Sequence, residues 1–105
     1  MVTSTKARVL EIVAAIPFGS VSTYGTIAKR LKLTARQVAR ILSTLSAVES
    51  AELPWYRVVA ANGVVSSLKL GAVGRRQIAK LRAEGVAISS RNEVLDFASV
   101  AWVPT

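Results

Sequence analysis

The sequence of 105 residues contains no cysteine and no histidine. Without cysteine there are no disulfides, no thiolate metal ligands and no thiol nucleophile. Without histidine the commonest general base and metal ligand is missing as well. Long apolar runs are absent too, falling far short of the roughly 20 residues that span a bilayer. The opening stretch MVTSTKARVLEIVAAI is punctuated by charge, which does not suit a secretory signal. These absences predict a cytoplasmic protein (nucleoid-associated in a bacterium) with no metal, no other cofactor, no membrane contact and no hydrolytic machinery.

What is present is positive charge. Fourteen Lys and Arg stand against six acids, a formal net charge of +8. Between Glu11 and Glu49 lie Lys29, Arg30, Lys32, Arg36 and Arg40, with no acid among them. Between Glu52 and Glu84 lie Arg57, Lys69, Arg75, Arg76, Lys80 and Arg82, again with none. Long segments of one sign in a small chain favour a polyanionic partner, and nucleic acid is the foremost candidate. The hydrophobic fraction of 51% is ample for folding. The length allows one domain, residues 1–105, with a single core rather than two.

Local patterns give mostly helices. Ser4 or Thr3 caps a helix to Ile16 with Ala7, Leu10, Val13 and Ala14 on one face, and Pro17 stops it. A short helix over Tyr24 to Leu31 follows, capped by Ser22 or Thr23. Thr34-Ala35-Arg36-Gln37 is a capping box that opens a third helix with Val38, Ile41, Leu42 and Leu45 as its buried stripe. Arg36 and Arg40, one turn apart, share another face. Two helices joined near Lys32 and Leu33, the second presenting arginine early, form a helix-turn-helix pattern. In YRVVAANGVVS, β-branched residues flank Asn62-Gly63, which predicts a hairpin. AVGRRQIAKLRAEG is a fourth helix ending at Gly85. The tail is expected to form extended pieces that pack Phe97 and Trp102 back onto the core. The fold class is α+β: a mostly helical winged helix-turn-helix domain with a small β-hairpin.

The ordered set IPFGSVSTYGTIA, ARQVAR, PWYRVVAANGVVS and LRAEGV resembles the C-terminal DNA-binding domain of the O6-alkylguanine-DNA alkyltransferases. It is more similar still to the alkyltransferase-like proteins, which keep that domain alone. In the alkyltransferases the stretch matching Pro54-Trp55-Tyr56-Arg57 reads Pro-Cys-His-Arg, and the cysteine takes the alkyl group. Here Trp55 stands at the cysteine position and Tyr56 at the histidine position, with Glu84 at the family's acid. An indole offers only its N–H, and a phenol is a poor base at neutral pH. With neither nucleophile nor base, the site is expected to sense rather than react.

The resemblance implies more about individual residues. Arg36 would be the finger that enters the duplex from the minor groove and fills the space of a flipped base. Thr34, Ala35, Gln37 and Arg40 would share the DNA contact, and Tyr24 would crowd the target phosphate. Tyr24, Trp55, Tyr56, Val58, Leu68 and Lys69 would line the pocket for the flipped base. Many alkyltransferase-like proteins carry an arginine in the loop where Leu68 falls here, so Lys69 either replaces it or lesion discrimination is weaker. SAVESAE reads as a short insertion between Arg36 and Trp55. The implied partners are duplex DNA containing alkylated guanine and nucleotide excision repair proteins, with the protein itself monomeric. The alternative is a sequence-specific winged-helix transcription regulator reading the major groove.

Overall fold

A computed structural model describes residues 4–65 and 71–104. Helix α1, Thr5–Ala15, begins where the Ser4 hydroxyl accepts the Ala7 N–H at 3.1 Å. It buries Val9 and Val13, one turn apart, and ends before Pro17 removes the next donor. Strand β1, Ser22–Thr23, leads directly into helix α2, Tyr24–Leu31, where Thr23 is the N-cap. Ile27, Ala28 and Leu31 form the buried face of α2.

The turn into helix α3, Ala35–Ser43, is tight. Lys32 takes a left-handed conformation at φ 60°, and the Leu33 N–H closes back onto the Ala28 carbonyl at 2.8 Å. This is a helix ending of the kind usually made with glycine, here made by lysine. Thr34 and Gln37 then cap each other reciprocally, and Val38, Ile41 and Leu42 pack toward α1 and α2. The α2–α3 pair is the expected helix-turn-helix. The SAVESAE stretch forms its own helix, α4 (Ala47–Glu52), started by a second capping box of Ser46 and Glu49. In the sequence this stretch reads only as a short insertion, although Ser46-x-x-Glu49 carries the capping-box signature.

The expected hairpin is not what the described residues form. Asn62 and Gly63 do turn the chain, at φ 65° and 82°, and the Ala60 N–H reaches the Val64 carbonyl at 2.8 Å. The residues before the turn, however, are strand β2, Val58–Val59, which pairs in parallel with β1 in the register Ser22 to Val58 and Thr23 to Val59. Beyond the turn, Val64 bridges Glu93, and the Val65 N–H donates to the Asn92 carbonyl. A turn signal fixes where the chain reverses, whereas ladder partners are chosen by whichever backbone lies alongside. Gly63 is buried at that reversal, and a Cβ there would meet Phe97 Cδ1 and Val94 Cβ at 3.1 Å each.

A single core was expected, but the apolar interior gathers into two clusters. One joins Val9, Val13, Ile16, Ile27, Ala28, Leu31 and Val38 from the first three helices with Val58. The other joins Val21, Val59 and Val65 with Ile78 and Leu81 of helix α5 (Ala72–Ala83) and with Val86, Ile88 and Val94. Strand β2 explains the division, because its successive side chains point to opposite faces: Val58 enters the first cluster and Val59 the second. The tail packs back onto the core as expected, but Phe97 stands on a short helix and not on an extended piece. The one-turn helix α6 (Phe97–Val100) sets Phe97 against the second cluster. The Trp102 N–H then donates to the Val21 carbonyl at 2.7 Å and its ring packs on the first cluster. The mostly helical α+β architecture is therefore as expected, with a parallel strand pair in place of a hairpin. No helix among the described residues is long and apolar enough to cross a membrane.

Candidate nucleic-acid interface and aromatic turn

Two regions hold the residues singled out in the sequence. The first is the exposed face of α3. Arg36 and Arg40 are both solvent-exposed, and among the described residues neither has an acidic partner. Thr34 and Gln37 are exposed too, but their side chains already serve the helix. The Thr34 hydroxyl accepts the Gln37 N–H at 3.1 Å, and Gln37 Oε1 accepts the Thr34 N–H at 2.8 Å. The cap holds the first turn of α3, where Arg36 stands, in fixed register. Tyr24 opens α2, half-buried against the first cluster.

The second region is the single 3-10 turn Trp55–Arg57 between Pro54 and β2. All three residues are half-buried. The Trp55 and Tyr56 rings meet edge to face, with centroids 6.0 Å apart and planes at 86°. Behind them sits one carboxylate that receives almost everything nearby. Glu84 Oε2 accepts the Tyr56 hydroxyl at 2.7 Å and Arg57 Nη2 at 2.6 Å. Its Oε1 accepts Arg57 Nε at 2.9 Å and the Gly19 N–H at 2.9 Å. Arg57 Nη1 goes on to the Ile16 carbonyl at 2.8 Å. Two separate pieces of chain, the loop after α1 and the aromatic turn, thus converge on one acid, which is the residue that caps the end of α5.

The electrostatics follow from this packing. Burial is the largest influence on Glu84 and pushes its carboxyl up. Hydrogen bonds from Arg57, Gly19 and Tyr56, with the guanidinium charge, outweigh it, so the net direction is below the usual carboxylate range. The Tyr56 phenol is raised, first by burial and then by its hydrogen bond to Glu84. Lys80 Nζ lies 5.2 Å over the Tyr56 ring, and the Arg57 guanidinium lies 5.5 Å from it. Tyr56 is therefore held neutral at ordinary pH and fixed as a donor, a state unsuited to accepting a proton. Glu84, read from the sequence as the family's acid, is the centre of this network.

The other pocket candidates separate. Val58 is 1% exposed and its side chain lies in the first apolar cluster, so it is not available to line an open pocket. Sequence patterning marks a valine beside aromatics but does not say which face of a two-residue strand it will take. Leu68 and Lys69 lie outside the described residues. A polar recess of about 260 Å³ opens beside the turn, lined by Pro54, Tyr56, Arg57 and Lys80 with Ser50 to Leu53 of the α4 segment. Gln77 was not singled out in the sequence. It is 2% exposed on α5 and its Nε2 donates to the Tyr56 carbonyl at 3.1 Å and the Val58 carbonyl at 2.9 Å. A polar residue at a core-facing helical position, one turn before Leu81, was the signal that could have found it.

A helix-turn-helix whose exposed arginines have no acidic partner among the described residues, in a chain that also carries a tethered aromatic turn, has the layout of a DNA-binding domain. The chain belongs to the family described as 6-O-methylguanine DNA methyltransferase, DNA binding domain, which residues 4–86 match. It is 42% identical over 97 residues to the DNA base-flipping protein of Escherichia coli, covering 90% of this chain and 71% of that one. To alkyltransferase-like protein 1 of Schizosaccharomyces pombe it is 37% identical over 83 residues, covering 77% of this chain and 75% of that one. Its fold matches S. pombe Atl1, solved in complex with damaged DNA containing O6-carboxymethylguanine, with a TM-score of 0.80 at 34% identity over 94% of both chains.

Proposed function

We propose that this protein is a non-enzymatic sensor of O6-alkylguanine in duplex DNA. It approaches from the minor groove, rotates the altered base out of the stack and holds it against Trp55 and Tyr56. Arg36 stacks in the vacated space, where a planar guanidinium can also hydrogen-bond to the orphaned partner base. Tyr24 crowds the target phosphate, and Arg40 with the first turn of α3 contacts the backbone. Rotation costs a few kcal/mol and costs least for a base that already pairs badly, which gives a sensor its first selectivity. The complex, formed by a monomer in the cytoplasm, marks the site for nucleotide excision repair.

The observation that carries this reading is the closed network around Glu84. Alkyl transfer needs an activated nucleophile. At this turn Trp55 has no lone pair to offer, and the phenol of Tyr56 is committed as a donor to Glu84 at 2.7 Å. What remains is a tethered aromatic turn in a chain with a cationic helix face, which suits binding without reaction. The likeness to S. pombe Atl1, solved with damaged DNA, supports the same reading.

The test is a titration of the protein into two short duplexes that differ by one O6-methylguanine, at fixed salt, followed by analysis of the strand. Tighter binding to the lesion with the methyl group left in place is the expected result. Equal binding to both duplexes would overturn the sensor, and a demethylated strand would overturn its non-enzymatic character.

A further inference from the structure

Trp55 stands on one isolated 3-10 turn, and a turn of that length does not hold itself. Its local bonds are few: the Trp55 N–H to the Leu53 carbonyl at 2.9 Å, the Arg57 N–H to the Pro54 carbonyl at 3.0 Å and the Val58 N–H to the Trp55 carbonyl. The carbonyls of Tyr56 and Val58 are directed at α5, where Gln77 Nε2 meets both. Two carbonyl acceptors determine which end of the amide faces them, because only the nitrogen can donate. Glu84 stands seven residues further along α5, two turns away on the same side of the helix and about 10 Å along its axis. Gln77 thus grips the main chain of the turn while Glu84 grips the Tyr56 and Arg57 side chains.

We infer that Gln77 is a positioning residue for Trp55. It fixes the angle at which the indole is presented and, on the sensing function proposed above, thereby sets discrimination between altered and normal bases. The Glu84 network holds the turn through the tips of the Tyr56 and Arg57 side chains, and the pairing with β1 begins only at Val58. The amide holds the main chain of the turn itself, at carbonyls on both sides of Arg57. Sites of this kind lose selectivity when their supporting contacts allow shifts of about 0.5 Å. Neither α3 nor its arginines contribute to this grip, so attraction to DNA in general is independent of it.

The experiment uses the full chain with Trp102→Phe, which leaves Trp55 as the single indole. Gln77→Met keeps length and packing but has no donor. In free protein, acrylamide quenching of Trp55 is expected to rise about twofold while cooperative unfolding is retained, as local loosening without global loss requires. The ratio of affinities for lesion and intact duplexes is expected to fall about fivefold, with the affinity for intact duplex unchanged. A general structural defect would instead weaken both duplexes together. If Gln77→Met does not fold, Gln77→Asn, which keeps the amide one methylene too short, carries the same expectations. Unchanged quenching overturns the positioning role, and raised quenching with an unchanged affinity ratio overturns its link to discrimination. Parent protein that binds both duplexes equally, with quenching still raised by the Gln77 variant, overturns the sensing function and leaves the positioning role standing.

Discussion

The α3 face and the aromatic turn solve opposite problems with the same residue type. Arg36 and Arg40 lie exposed, with no acid beside them among the described residues, so their charge is available to a partner. Arg57 is spent entirely inside the protein, on the Glu84 carboxylate and the Ile16 carbonyl. Its side chain is 13% exposed and that of Glu84 is 6% exposed. An exposed cation acts at a distance and is screened by salt, whereas a buried pair acts through geometry and is screened little. One region is built to attract and the other to hold shape.

The largest expected effect comes from opening the held region. Glu84→Ala leaves a buried guanidinium and the Gly19 N–H without their acceptor and should cost about 3–5 kcal/mol in urea denaturation. A loss below about 1 kcal/mol would mean that the network is ornamental to stability. The same group gives a pH dependence whose sign is fixed. Glu84 is lowered in the folded state, so its contribution is present above the unfolded carboxylate value and fades as pH falls through the folded one. Tyr56 is raised, so its contribution is present below the unfolded phenol value and fades as pH climbs through the folded one. Glu84→Gln should therefore flatten the acid limb of the stability profile, and an unchanged limb would separate acid sensitivity from this network.

Breaking the attracting region should leave stability alone and change binding. Arg36→Ala is expected to weaken lesion and intact duplexes alike by about tenfold, or ~1.4 kcal/mol, because the finger fills the gap whichever base has left it. Binding of the parent to intact duplex should fall with salt at a log–log slope of roughly −3 to −6. Salt-insensitive affinity would remove the α3 face from the interface. The smallest expected effect joins the two regions to local folding. Thr34→Ala removes one half of the capping box and should lower stability by about 1 kcal/mol, with a modest, lesion-independent loss of binding. A change in the lesion-to-intact ratio instead would assign Thr34 a direct role at the damaged base.

Helix ends were the most legible part of the fold. Ser4, Thr23 and Thr34 each cap as their local sequence implies, since a side-chain oxygen two or three residues from an orphan N–H needs nothing distant. Pro17 and Gly85 mark ends for the same reason, and the arginine face of α3 follows from a spacing of four. The resemblance of the motifs supplied Trp55, Tyr56 and Glu84 as a set, though not their connections.

The tertiary structure decided the rest. Asn62-Gly63 reverses the chain as its composition dictates, but β2 finds its partner in β1, more than 30 residues earlier, because pairing depends on what lies alongside. Val58 and Val59 read identically in the sequence, yet strand alternation sends one into each apolar cluster. Gln77 reads as an ordinary helical residue until the turn carbonyls are brought against it. Sequence by itself determined helices α1, α2, α3 and α5, the residues that cap them, the excess of positive charge and the absence of a nucleophile, all of which depend on composition or on neighbours within one turn. Only the fold decided which charges are free and which are consumed, because desolvation and hydrogen bonding are properties of what surrounds a side chain.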